Sequence, residues 1–288
     1  MKLVNQIGYL RRRFGTEKAL GMLKASGFDG YDYGMDVASE SVEDFLSDSY
    51  WQQVRELKAC ADRIGIPCLQ AHAPAGENQM ERLPAIIRSL EYAAYLGAEV
   101  IVVHSTTDNW HYYERKEALF ESNMQLYKAL IPHAQRLGIK VAVENLYGWD
   151  RVRRLNLESV CSHSEEFIRY IDTLNHECIV ACVDTGHAQL VNEAPEHMIL
   201  KLGSRVGALH VHDNTGIDDA HGLPYTGTIN WDNVCAALAK VGYQGNFTFE
   251  AGRFFNQYMD DELIPRVVDY YAHVGRSLIR KIENSREV

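Results

Sequence analysis

The stretch Leu137-Gly138-Ile139-Lys140-Val141-Ala142-Val143-Glu144-Asn145 decides the reading of the fold. Apolar residues at three- and four-residue spacing run into it over Phe120–Leu137, the pattern of an amphipathic helix. Gly138 supplies the left-handed cap that stops a helix and turns the chain back. Lys140–Glu144 then reads as a short strand, apolar until it ends in a carboxylate.

The same phrase recurs on both sides. Glycine punctuates Ala25-Ser26-Gly27-Phe28, Ile64-Gly65-Ile66, Leu96-Gly97-Ala98 and Val241-Gly242-Tyr243. Strand-like runs fall at Lys2–Gln6, Gly30–Tyr33, Pro67–Ala71, Val100–His104, Lys140–Glu144, Ile179–Asp184, Val206–His212 and Gly245–Glu250, with helical stretches such as Trp51–Ile64 and Trp231–Lys240 between them. Val100-Ile101-Val102-Val103 is apolar throughout, as a strand covered on both faces must be. Eight β/α units of about 35 residues, without a Pro/Ser/Gly linker, predict one α/β domain over residues 1–288, a single (β/α)₈ TIM barrel with a parallel eight-stranded sheet. The alternative, a doubly wound open sheet, lacks its Gly-rich phosphate loop here.

Composition narrows the class. The 288 residues carry 29 Lys plus Arg against 39 Asp plus Glu, a net charge of −10, with 46% hydrophobic residues. That is globular composition and excludes a disordered chain. No apolar run approaches the roughly 20 residues of a membrane span, and the polar start Met1-Lys2-Leu3-Val4-Asn5-Gln6 has no signal-peptide character. Six cysteines without a CxxC pair fit reduced thiols, so a cytoplasmic location without a membrane partner is expected. The acidic balance argues against a nucleic-acid partner and is compatible with a homo-oligomer.

In barrels the reacting groups stand at the C-terminal ends of the strands. Here those ends read His72-Ala73, Val103-His104, Val143-Glu144-Asn145, Val183-Asp184-Thr185-Gly186-His187, His210-Val211-His212-Asp213 and Phe249-Glu250. Chance would put about two of the twelve histidines there; five lie there, and His221 follows in the seventh loop. His133, His163, His176, His197 and His273 fall in helices or their flanks and read as surface residues, while His111 lies in the fourth loop. Imidazole with carboxylate and no thiol is the ligand chemistry of Zn, Mn, Fe or Co. Glu144, Asp184, His210 and Glu250 are the expected four-ligand metal cage, since a carboxylate after three apolar strand residues is costly to bury unless paired or metal-bound.

These motifs, in order and at barrel spacing, resemble the xylose-isomerase-like TIM barrels. That superfamily includes sugar phosphate isomerases and epimerases, inosose dehydratases, ketose 3-epimerases and the endonuclease IV group. Asp219-Ala220-His221 and Gly227-Thr228-Ile229-Asn230-Trp231 are further sugar-isomerase-like segments. The resemblance implies a carbohydrate-metabolising, divalent-metal-dependent isomerase or epimerase, with Mn, Zn or Co as the ion and Mg within range. The metal would chelate a sugar carbonyl and the neighbouring hydroxyl, and Glu144 and Glu250 would remove and return a proton through an enediolate. His187 would touch a substrate hydroxyl.

The resemblance to endonuclease IV implies a rival: three zinc ions on His72, His104, Glu144, Asp184, His187, His210, Asp219, His221 and Glu250, hydrolysing abasic DNA. Against it stand the net charge and the segment Thr185-Gly186-His187, where those nucleases read Thr-Cys-His. A metal-binding barrel without catalysis is a third reading.

Positive charge gathers in loops of the catalytic face: Arg11-Arg12-Arg13, Arg151, Arg153, Arg154 and Arg253. It points to a small-molecule sugar, or an anionic sugar derivative held bidentately, with Arg253 the preferred contact. Among the loop aromatics, Trp110 and Trp149 are expected to form a substrate wall.

Overall fold

In the computed structural model, which describes residues 1–35, 42–76, 78–255 and 258–286, eight parallel strands form the expected barrel. They are β1 (Lys2–Gln6), β2 (Gly30–Gly34), β3 (Cys68–His72), β4 (Val100–Val103), β5 (Lys140–Glu144), β6 (Ile179–Asp184), β7 (Val206–His210) and β8 (Asn246–Phe249). Their order is β8-β1-β2-β3-β4-β5-β6-β7, with each neighbouring pair parallel. Closure comes just past β7, where the Val211 N–H donates to Thr248 O at 2.8 Å and the Glu250 N–H donates to Val211 O at 3.2 Å.

Strand alternation sorts the side chains into two cores. Ile101, Val103, Val141, Val143, Ala181 and Val183 join the large apolar layer beneath the helices. Val100, Val102, Ala142, Cys182 and Ala208 form a separate cluster inside the barrel. Glu144, Asp184 and His210 each lie two residues past a member of that inner cluster, so the pleat aims them into the mouth. Small and branched residues fill the barrel below, which gives the polar ring a dry floor.

The outer helices follow the sequence pattern. Asp48–Ile64, Leu83–Leu96 and Tyr112–Leu137 end at Gly65, Gly97 and Gly138, whose φ values of 74°, 98° and 66° are the left-handed caps expected. The fourth crossing helix starts at Tyr112, eight residues before the periodic stretch, and keeps Pro132 inside it. One element was not expected: an antiparallel hairpin of Tyr147–Asp150 and Leu155–Glu158 above β5. Its turn is organised by Asp150, whose Oδ1 accepts from the N–H groups of Val152 and Arg153 at 2.9 Å each, a local chemistry that hydrophobic periodicity does not report.

No helix among the described residues is long and apolar enough to cross a membrane. All six cysteines are free, and burial pushes the thiols of Cys68, Cys161 and Cys182 well up.

Candidate metal centre at the barrel mouth

The mouth brings four side chains from β5 to β8 to one point. One ligand atom each from Glu144, Asp184, His210 and Glu250 lies within 4.8 Å of the other three. His210 Nδ1 is the hub, 2.5 Å from Glu144 Oε1 and 3.1 Å from Glu250 Oε2. Gln6 at the end of β1 steadies the outer carboxylate, its amide donating to Glu250 Oε1 at 3.1 Å. Ligands about 2.0–2.2 Å from a single ion stand roughly 3–4.4 Å from one another; Glu250 is already at that spacing from His210, and Glu144 needs to withdraw by only about 0.5 Å to admit a divalent cation.

A second group adjoins it. Asp184, His187 and His212 are within ligand spacing, as are His212, Asp219 and His221. On the opposite side His72 Nε2 and His104 Nε2 face each other at 3.0 Å and stand 3.6 and 2.7 Å from Glu144 Oε2. Every residue expected to bind metal is therefore at this mouth, and His212 joins them from one turn of β-structure beyond His210.

The imidazole hydrogen bonds fix which nitrogen faces inward. His72 Nδ1 donates to Ala73 O at 2.7 Å, His187 Nδ1 to Asn145 O at 3.0 Å and His221 Nδ1 to Glu250 O at 2.6 Å. A carbonyl only accepts, so each Nδ1 carries a proton, and each Nε2 is the nitrogen that can give a lone pair to a cation once it has released its own proton. That outer bond is the usual partner of a metal-ligating histidine. Asn145 also locks β5 to β6, donating to Asp184 O at 3.0 Å and accepting from the Asp184 N–H at 2.7 Å. Asp184 in turn caps the helix Thr185–Leu190, accepting from the His187 N–H at 2.7 Å.

Several buried atoms here make no hydrogen bond: His210 Nε2, His212 Nδ1, Asp219 Oδ1 and both carboxylate oxygens of Asp32. Unsatisfied buried polar atoms are rare and costly, and a cluster of them beside convergent ligand atoms fits a cation site. Burial works to raise the Glu144 carboxyl, but His210 and His104 outweigh it and hold it well below the usual range. Asp184 is lowered against burial by His187 and His212. Burial would lower His221, yet Asp219 carries it up to about 9. The mouth thus maintains anionic carboxylates, balanced by imidazolium protons that a cation would replace.

A cavity of about 540 Å³ opens onto this cluster, lined by Gln6, Arg12, His72, His104, Glu144, Tyr147, His187, Asp219, His221 and Glu250. Three residues expected to touch substrate, Trp110 and Trp149 as its wall and Arg253 as its anion contact, are not in that lining. Trp149 lies two residues beyond Tyr147 on the same hairpin face, about 6.6 Å along the strand, and does not line the cavity. Trp110 is 60% exposed beside a separate hollow formed by the fourth loop. Arg253 borders a smaller hollow and stands 3.9 Å from Asp218. Tyr147 and Arg12 line the cavity instead. Arg11 bonds Thr16 and Tyr33 and Arg13 bonds Asp261, whereas Arg12 lies over Tyr9 and reaches the cavity.

Periodicity also passed over Asp32 in the second strand and Asp213 in the seventh loop. Asp213 is structural: it accepts from Trp231 Nε1 at 2.9 Å, Tyr225 N at 3.0 Å and Ile229 N at 3.2 Å, pinning the loop that carries Asp219 and His221.

An eight-stranded α/β barrel with a histidine–carboxylate cluster at its C-terminal mouth defines a class. The chain belongs to the xylose isomerase-like TIM barrel family, whose model matches residues 20–262. It is 26% identical over 266 residues to the uncharacterised protein y4fM of Sinorhizobium fredii, covering 82% of this chain and 81% of that one. It is 22% identical over 210 residues to the D-psicose 3-epimerase of Ruminiclostridium cellulolyticum, covering 69% and 68%. The crystal structure of a D-tagatose 3-epimerase-like protein superposes with a TM-score of 0.73 at 20% identity, covering 97% of this chain and 100% of that one. The fold is that of sugar isomerases and epimerases, with epimerases among its distant relatives.

Proposed function

We propose that the protein is a divalent-metal-dependent epimerase or isomerase of a small sugar, with Glu144, Asp184, His210 and Glu250 holding the ion. The observation that carries this reading is the convergence of those four ligand atoms within 4.8 Å beside a cavity of ligand size. When bound, a cation there supplies Lewis acidity toward a sugar carbonyl and its neighbouring hydroxyl. Glu144 and Glu250 remove and return the proton on the hydroxyl-bearing carbon next to the carbonyl, since both line the cavity and reach it from different strands. Gln6 holds Glu250 in the rotamer this requires. His187 and Tyr147 contact sugar hydroxyls from the hairpin side, and Arg12 is the cation that meets an anionic substituent.

The test is Glu250→Gln. It should cut solvent-deuterium exchange into a ketose by about 10²–10⁴-fold while the protein stays folded, and undiminished exchange would remove Glu250 as a proton carrier.

A second reading has its own support. The flanking groups at His72, His104 and Glu144, and at Asp184, His187, Asp219 and His221, supply ligands for two more ions. A three-metal centre would favour phosphodiester hydrolysis, but among the described lining residues Arg12 is the lone Lys or Arg available to meet a nucleic-acid backbone. Metal analysis separates them: about one ion per chain supports the epimerase, and three zinc ions with cleavage of abasic duplex support the nuclease.

A further inference from the structure

We propose that Asp32 is the positioning residue for His210, the outer carboxylate that orients this imidazole and strengthens it as a ligand. The inference rests on the metal-centre reading and concerns a residue outside the ligand set.

His72, His187 and His221 each donate Nδ1–H to a backbone carbonyl, which leaves Nε2 for the cluster. His210 is turned the other way. Its Nδ1 faces Glu144 and Glu250, so its Nε2 points down into the barrel, where it makes no hydrogen bond. Asp32 Oδ2 stands 3.8 Å from that nitrogen. Both residues are fully buried, and neither oxygen of Asp32 has a hydrogen-bond partner. A carboxylate inside a barrel without a partner is among the costliest arrangements a fold can keep.

The two vacancies answer each other. When Nδ1 gives its lone pair to an ion, the imidazole proton must sit on Nε2, directed at Asp32. An approach of about 1 Å then makes a charge-assisted bond. The strand registers support a fixed partner: Asp32 pairs with Gln6 on β1 and with Gln70 on β3, both central in the sheet. Gln70 makes no bond to Asp32: its amide donates to Leu209 O at 3.3 Å and its Oε1 accepts from Thr248 at 3.1 Å. His210 is thereby supplied with the outer partner that the other three histidines take from the backbone.

The test uses the full chain stripped of metal and titrated with Mn²⁺ by calorimetry, alongside thermal unfolding of the metal-free forms. Asp32→Asn should weaken Mn²⁺ binding about 10–100-fold. The metal-free variant should melt no lower than the parent, because a buried charge is gone. Asp32→Leu, which keeps the branched shape without a polar atom, should lose at least as much affinity. Equal Mn²⁺ affinity in parent and Asp32→Asn overturns the proposal, as does a lower metal-free melting temperature in both variants, which would make Asp32 a structural residue. If the parent itself binds no Mn²⁺, the metal-centre reading fails first and the proposal with it.

Discussion

Replacing Gly186 by alanine probes how the mouth is packed. A Cβ at that position would lie 1.9 Å from Cε1 and 2.3 Å from Nδ1 of His212, far inside van der Waals contact. The ring has little room to retreat. It stacks on His221 with centroids 4.3 Å apart, its Nε2 is 3.0 Å from Asp184 Oδ1, and its backbone N–H donates to Thr185 Oγ1 at 3.1 Å. Overpacking of this kind costs about 1–3 kcal/mol, while alanine inside the helix Thr185–Leu190 returns up to about 1 kcal/mol of propensity. The net expectation is a loss of about 1–2 kcal/mol, a fall in Tm of roughly 2–4 °C for a chain of this size. Urea unfolding of parent, Gly186→Ala, His212→Ala and the double variant measures it. In the His212→Ala background the Gly186→Ala change should become neutral or stabilising, a coupling of about 1–3 kcal/mol. Equal costs in the two backgrounds would refute the packing argument. The same clash explains why Thr185-Gly186-His187 has glycine where cysteine would be excluded by His212.

Other expectations follow from single contacts. Arg12→Met should lower kcat/KM for phosphorylated or carboxylated ketoses about 10–100-fold and leave neutral ketoses unchanged, as steady-state assays on matched pairs would read. Arg276 grips Asp29 through two 2.8 Å hydrogen bonds, and although burial opposes the charge, those bonds and the Leu3 amide hold the Asp29 carboxyl below its usual range. Because the folded-state value is depressed, the stabilisation is present at neutral pH and fades as pH falls through the carboxylate range. Arg276→Met should therefore cost about 0.5–1 kcal/mol at pH 7, a gap that denaturant curves should show closing below about pH 4.

The sequence carried the barrel because the Gly-capped helix followed by an apolar strand repeats, and each repeat is local. It also carried the ligand-rich mouth, because a carboxylate or imidazole at the end of a buried strand is anomalous on its own. What it did not carry depends on direction and distance between elements. Trp149 and Tyr147 share a face of a hairpin whose turn is set by Asp150, so their distances from the mouth follow from that hairpin. Arg253 and Arg12 are both loop arginines in a string of letters, and the fold alone sends one to Asp218 and the other to the cavity. Asp32 sits between two tyrosines in β2, where alternation gives its face but not the imidazole 3.8 Å away.

The central claim is proton transfer beside a carbonyl at a single metal-loaded centre. It is tested most directly by incubating the Mn²⁺-loaded protein with a panel of ketoses and their phosphates in D₂O and reading the sugars by NMR. The account predicts deuterium at the hydroxyl-bearing carbon adjacent to the carbonyl, together with the epimer, in the parent and not in Glu250→Gln. No exchange into any sugar at full metal occupancy, with three zinc ions per chain and cleavage of abasic duplex, would contradict it.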